Sequence, residues 1–120
     1  MIRFIFCLFF IFVAKTSFAN LAYITNEKDN TVSVIDIKKN KVIKTVEVGQ
    51  RPRGIIMSKD GKLVLICASD DDRVEVREAK TLKLKYYLPS GPDPELFILS
   101  PDDETLYIAN EDDAMVTVVD

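Results

Sequence analysis

A chain of 120 residues has room for one domain. It carries 16 Lys and Arg against 19 Asp and Glu, with no His, no Trp and two Cys. The acidic excess argues against a surface that neutralises nucleic-acid or anionic-lipid phosphates. The lack of His removes the commonest general base and the commonest zinc or haem ligand, and two cysteines are too few for a zinc ribbon or an iron–sulfur cluster.

Met1–Ala19 opens with Arg3, continues in an apolar run from Phe4 to Ala14, and ends in Ser17-Phe18-Ala19. A positive start, a short apolar core and small residues before a cleavage point are the layout of a secretory signal peptide. The run is interrupted by Lys15 and is shorter than the ~20 apolar residues of a bilayer-spanning helix. Residues 1–19 are therefore expected to be cleaved before Asn20. The product would be periplasmic or secreted and would not touch the membrane. Without Arg3 and Lys15 the balance is 14 basic to 19 acidic residues, a net of −5. Cys67 is then the one remaining thiol, expected as a small buried apolar residue in a strand.

From Leu21 onward the chain repeats itself every 42 residues without a gap. Leu21 matches Leu63, Ile24 matches Ile66, Val32 matches Val74 and Val34 matches Val76. Gly49 matches Gly91, Pro52 matches Pro94, Ser58 matches Ser100 and Asp60 matches Asp102. The copies are residues 21–62, 63–104 and an incomplete 105–120. Each begins with a short apolar run (Leu21–Thr25, Leu63–Ala68, Thr105–Ala109) and continues with a segment that has Val at alternate positions (Thr31–Asp36, Arg73–Glu78, Met115–Asp120). A period of two marks a half-buried strand rather than a helix. Val42–Val48 and Leu82–Leu88 form a third strand type, and Gly54–Ser58 and Glu95–Leu99 a compact fourth. Turn signals separate them, including Asp60-Gly61, where Gly accepts positive φ; Asp102-Asp103 stands there in the next copy.

Four short antiparallel strands per period cannot bury both faces of their own sheet. Stacking such sheets radially solves the problem. The fold class is thus all-β: a β-propeller of four-stranded antiparallel blades, here a partial propeller of roughly two and a half blades. The fourth strand type lies innermost and Val42–Val48 and Leu82–Leu88 lie at the rim. Closed propellers have ~4–8 blades, so the sequence is expected to be a fragment, or else a short protein that must oligomerise to close the ring.

Tyr23-Ile24-Thr25-Asn26, Asn30–Asp36, Val48-Gly49, Pro52-Arg53-Gly54 and Ser58–Lys62 together resemble the YVTN-type propeller repeat. The strings NEKDNTVSVID (Asn26–Asp36), GQRPRGI (Gly49–Ile55), SGPDPELF (Ser90–Phe97), LSPD (Leu99–Asp102) and LYIANEDDAMVTVVD (Leu106–Asp120) are similar to β-propeller proteins associated with pyrroloquinoline-quinone-dependent catabolism. The resemblance implies an exported propeller accessory to quinone-dependent alcohol oxidation, whose partner would be a quinone-dependent dehydrogenase or cytochrome, or a small molecule. It carries over no catalytic residue. Ala68, Glu78 and Asp103 depart from the repeat, which has Asn, Asp and Gly there.

Loops entering the innermost strand share one end of a blade with loops that follow the Tyr23-type strand. The 42-residue offset maps Arg51 onto Asp93 and Arg53 onto Glu95, so charge inverts between neighbouring blades near the central channel. Arg51, Arg53, Asp93 and Glu95 are the candidate binding residues. Two readings compete: a polar funnel that holds a small molecule or a protein loop, and ion pairs that merely tie blades together. Asn26 and Asn110 read as loop caps bonding nearby backbone, Asp36 and Asp120 as turn stabilisers. Asp70-Asp71-Asp72 reads as a solvated loop, since it lacks the spaced ligands of a calcium loop. No catalytic residue, metal or cofactor is assigned, and the chain is expected not to be an enzyme. A lactonase-like propeller hydrolase is the alternative, but it needs a base or metal that no His supplies. A quinoprotein dehydrogenase would need Trp. A cell-surface adhesion propeller built from the same repeat is the third possibility.

Overall fold

A computed structural model describes residues 20–120; the expected signal segment lies outside the described residues. Ten strands follow one another: β1 (Leu21–Asn26), β2 (Thr31–Asp36), β3 (Lys41–Glu47), β4 (Pro52–Met57), β5 (Leu63–Ala68), β6 (Arg73–Glu78), β7 (Leu84–Pro89), β8 (Pro94–Leu99), β9 (Leu106–Asn110) and β10 (Met115–Val119). No α-helix occurs among the described residues. Single 3-10 turns at Glu27–Asp29 and Ser69–Asp71 are the helical elements described.

All pairings are antiparallel and link sequence neighbours. The strands form three sheets: β1-β2-β3, the four-stranded β4-β5-β6-β7, and β8-β9-β10. The middle sheet is a complete blade. The first lacks an innermost strand and the third lacks an outermost one. Blades therefore start at β4 and β8, the last strand of each 42-residue sequence unit. The innermost strands begin at Pro52 and Pro94, earlier than the expected Gly54 and Glu95. Proline suits a strand's first residue, where no amide proton is needed. The outer strand expected at Leu82–Leu88 begins only at Leu84, because Leu82 takes a left-handed φ of 60° and belongs to the turn.

Alternation along each strand sends one set of side chains to each neighbouring blade. Val32 and Val34 of β2, with Leu21, Tyr23 and Val46, meet Val64 and Ile66 of β5. Ala79 and Leu82, from the turn after β6, close the same joint, and the Tyr23 hydroxyl donates to the Ala79 carbonyl at 2.9 Å. The second joint brings Leu65, Cys67, Val74 and Val76 of the middle blade against Leu106 and Ile108 of the third. Each fully buried Val, Leu or Ile contributes ~1.5–3 kcal/mol, so these two joints hold the molecule together.

The repeat also appears in the backbone. Positive φ occurs at Asn30, Asp72 and Ala114; at Asn40 and Leu82; at Arg51 and Asp93; and at Gly61 and Asp103. Each group is one position of the 42-residue unit. The turns repeat in bonding too: Ser58 Oγ donates to Asp60 Oδ1 and accepts from Leu63 N, and Ser100, Asp102 and Thr105 repeat the set. Asp36 Oδ1 accepts from Lys39 N at 3.0 Å, the turn role expected of it.

Candidate functional site: a charged cluster on the loop end

The loops before β4 and β8 and the loops after β1, β5 and β9 lie together at one end of the blades. Two features seat the inter-blade loops. Gly49 and Gly91 pass so close to the following blade that a Cβ would stand 2.5 Å from Ala68 Cβ in one case and 2.4 Å from Asn110 Nδ2 in the other. Then Arg51 N donates to Asn30 Oδ1 at 2.8 Å, and Asp93 N donates to Asp72 Oδ1 at 3.0 Å. The left-handed residue at 51 and 93 is thus locked by the loop of the preceding blade.

Arg51 is the centre of the cluster. Its guanidinium lies 3.0 Å from Asp70 Oδ1, 3.1 Å from Asp93 Oδ2, 3.5 Å from Glu27 Oε1 and 3.6 Å from Glu95 Oε1. Arg53 Nη1 stands 2.8 Å from Glu95 Oε1 and 3.5 Å from Glu27 Oε1. The hydrogen bonds it donates to Asp70, then to Asp93, hold Arg51 firmly charged. The Glu95 carboxyl is pushed above the usual range, first by its contact with the Glu111 carboxyl and then by burial, while Arg53 pulls it down. Oxygens of Asp93, Glu95 and Glu111 all lie within 4.8 Å of one another. That spacing could hold a cation, but the two guanidinium groups already stand against Asp93 and Glu95.

The structure therefore brings all four expected residues together, Arg51, Arg53, Asp93 and Glu95, and pairs them across the blade boundary. Sequence reasoning missed Glu27 and Glu111 as members. Their signal was present: they are 84 residues apart, two periods, at the ends of the matching strings YITNE and YIANE. Asp70 and Asp72 are exposed, as a solvated loop would be, but the loop's carboxylates also have donors. Asp70 pairs with Arg51, Asp71 Oδ2 lies 3.0 Å from Arg73 Nη2 and accepts from Gln50 N, and Asp72 caps Asp93. Each carboxylate has a donor because the adjacent inter-blade loop lies directly over it. The reading of Asn26 and Asn110 is corrected. They bond hydroxyls of the next strand rather than backbone: Asn26 donates to Thr31 and Ser33, and Asn110 to Thr117.

Chemically the cluster offers carboxylates and guanidiniums. No nucleophile with an adjacent base is present among the described residues at this end. The Ser69 hydroxyl is committed to the Pro94 carbonyl at 2.6 Å. Cys67 is buried between blades, and burial pushes its thiol up to about 12.

Radially stacked four-stranded antiparallel sheets with a charged loop end define a β-propeller. The sequence matches the family described as the cytochrome D1 heme domain over residues 11–96, well over half its length, and the chain belongs to that family. Among solved structures, it is similar to Kuenenia stuttgartiensis hydrazine synthase, with a TM-score of 0.77 and 24% identity over 83% of this chain and 29% of that one. It is also similar to the dihydro-heme d1 dehydrogenase NirN in complex with DHE, at TM-score 0.71 and 20% identity over 85% and 22%. A functionally unknown protein from Desulfotomaculum acetoxidans DSM 771 gives TM-score 0.69 and 18% identity over 85% and 38%. At these identities the likeness is one of fold, and the chain spans less than two fifths of each structure. Among curated proteins, no sequence matches.

The family name implies a haem, and the loop end of this chain offers one no axial His. The Cys67 thiol is sealed in a blade joint and the Tyr23 hydroxyl is committed to Ala79. The loop end presents the paired charges of Arg51, Arg53, Asp93 and Glu95. No step is derived through such a group.

Proposed function

We propose that the chain is part of an exported, non-enzymatic binding propeller whose loop end holds a protein partner, in service of quinone-dependent alcohol oxidation. One observation carries the reading: around Arg51 and Arg53 stand five carboxylates, Glu27, Asp70, Asp93, Glu95 and Glu111. Blade tying needs only matched pairs. Acid in excess of base at the channel end leaves a field that favours a partner presenting Lys or Arg there. The link to quinone chemistry is supported by the strings SGPDPELF and NEDD, and the absence of His and Trp favours binding over hydrolysis or quinone turnover.

The test is pull-down from periplasmic extract with the full-length propeller. A quinone-dependent dehydrogenase or its cytochrome is the expected prey. Glu95→Gln with Glu111→Gln should weaken capture at least ~tenfold and flatten its salt dependence, because complementary charge sets encounter rate and register. Arg51→Gln with Arg53→Gln should alter capture too, since it releases the same carboxylates. If both double variants capture the same prey as the parent, the cluster only ties blades.

A further inference from the structure

Charge is segregated between the two ends of the blades. Antiparallel hairpins place the loops after β1, β5 and β9 at one end and the turns after β2, β4, β6 and β8 at the other. The described residues hold ten lysines, and nine of them lie on or beside those turns; Lys28 alone stands at the loop end. On the first two blades the nine meet three carboxylates, Asp36, Asp60 and Glu78. The turn after β8 is acidic, but Asp103 accepts from Lys59 N and Asp102 from Ser100 Oγ and Glu104 N. The net acidic balance of the sequence thus conceals a basic end.

Four of the nine lysines are engaged. Lys39 pairs with Asp36 and Lys62 with Asp60, each at 3.3 Å. Lys44 donates to the Thr81 carbonyl, and Lys59 to the Pro101 carbonyl at 3.1 Å. Lys38, Lys41, Lys80, Lys83 and Lys85 are exposed, and their ammonium groups meet no partner among the described residues. All five belong to two outer hairpins, β2-β3 and β6-β7. Lys38 and Lys80 occupy one position of the 42-residue unit, and Lys41 and Lys83 another. The Lys44 bond to Thr81 ties the two hairpins side by side. The free lysines therefore form one edge. It lies at the ends of the blades and not on the faces that neighbouring blades cover, so a further blade would lengthen this edge and not hide it.

We propose that this edge rests on a bilayer surface rich in anionic headgroups. Lysines beside such a surface each strengthen binding ~fivefold, without a fixed partner geometry. The composition favours a lipid surface over an acidic protein. Protein interfaces are enriched in Arg and depleted in Lys, and Arg supplies the planar fork that fixes a single carboxylate. This edge has no exposed Arg: Arg51, Arg53 and Arg73 lie towards the loop end and Arg77 is buried. Contact through the lysine edge also turns the acidic loop end away from the like-charged bilayer.

Flotation of the full-length exported protein with vesicles tests this. It should bind vesicles of phosphatidylcholine with phosphatidylglycerol and not vesicles of phosphatidylcholine alone. Raising salt to ~0.5 M should release it, because the screening length falls well below ~10 Å. Replacing Lys38, Lys41, Lys80 and Lys83 together by Gln should lower the partition coefficient at least ~100-fold. Lys28→Gln, at the other end, should change it less than ~twofold, since its charge stands beyond a screening length from the surface. Thermal unfolding should show the fourfold variant as stable as the parent, because none of the four ammonium groups has a partner. Capture of a protein at the loop end should be the same in both. Equal binding to the two kinds of vesicle overturns the proposal, as does a fourfold variant that binds like the parent. Loss of an acidic protein from the fourfold variant, with no binding of anionic vesicles by the parent, assigns the edge to a protein and overturns it too.

Discussion

At the scale of single residues, left-handed backbone is used at four positions of the repeat, and mostly without glycine. A non-glycine residue there costs roughly 1–2 kcal/mol, so each needs a compensation. Asn30 and Asp72 are compensated by the caps they provide to Arg51 and Asp93. Leu82 is compensated by burial: its side chain is 1% exposed in the first joint, a contribution of ~1.5–3 kcal/mol that exceeds the strain. Ala114 has φ 53°, is exposed, and has no side-chain bond to set against the cost. Ala114→Gly should therefore raise stability by about 0.5–1 kcal/mol, the strain relief less the entropy of a freer unfolded chain. Leu82→Gly should lower it by more than ~2 kcal/mol, since a core side chain goes with the strain. Urea midpoints at unchanged slope would read both, and a gain from Leu82→Gly would contradict the account.

At the scale of the strand, the middle blade departs from its neighbours in a linked way. In the first blade Asn26 donates to Thr31 Oγ1 at 2.9 Å and Ser33 Oγ at 2.8 Å, and in the third Asn110 donates to Thr117 Oγ1 at 2.8 Å. The middle blade has Ala68 and Glu75 at those places. Glu75 is 1% exposed and takes Arg77 Nε at 2.7 Å, while Arg77 Nη1 donates to the Leu82 carbonyl at 2.9 Å. Arg73 stacks over the Tyr87 ring at 4.2 Å beside them. Small Ala68 makes room under Gly49 for the buried ion pair. Glu75→Ser alone should cost ~3–5 kcal/mol, because Arg77 is left buried and unpaired. Adding Ala68→Asn and Arg77→Ile, which installs the first blade's set, should recover most of that loss. The three changes should couple by more than ~1 kcal/mol, and simple additivity of the single losses would refute the linkage.

That ion pair also marks the limit of what the sequence made legible. Arg73–Glu78 was read correctly as a strand because Val74 and Val76 alternate. The polar positions between them look solvent-facing in a linear pattern, yet the preceding blade and the Gly49 loop cover them. Strands were legible because two-residue periodicity is local. The pairing of Arg51 and Arg53 with Asp93 and Glu95 was legible because the 42-residue offset superposes them. Glu27 and Glu111 occupy one position of the same offset, but their part in the cluster is set by how closely loops of three blades approach one another.

At the scale of the molecule, three sheets touch only their neighbours, so stability is a sum of blades and joints. The two joints need not open together, and Cys67 can tell them apart. It is 0% exposed in the joint between the middle and third blades, and with its thiol pushed up to about 12 almost none is thiolate near neutral pH while that joint is shut. A thiol reagent applied to the chain from Asn20 onward, whose one thiol is Cys67, therefore acts as a clock on one hinge of the stack: modification advances only during the moments when those two sheets part. Leu106→Ala, in that joint, should speed the clock at least ~30-fold, from the ~2–5 kcal/mol cost of such truncations. Val34→Ala, in the other joint, should leave its rate nearly unchanged if the sheets separate one at a time, as a quasi-one-dimensional stack allows.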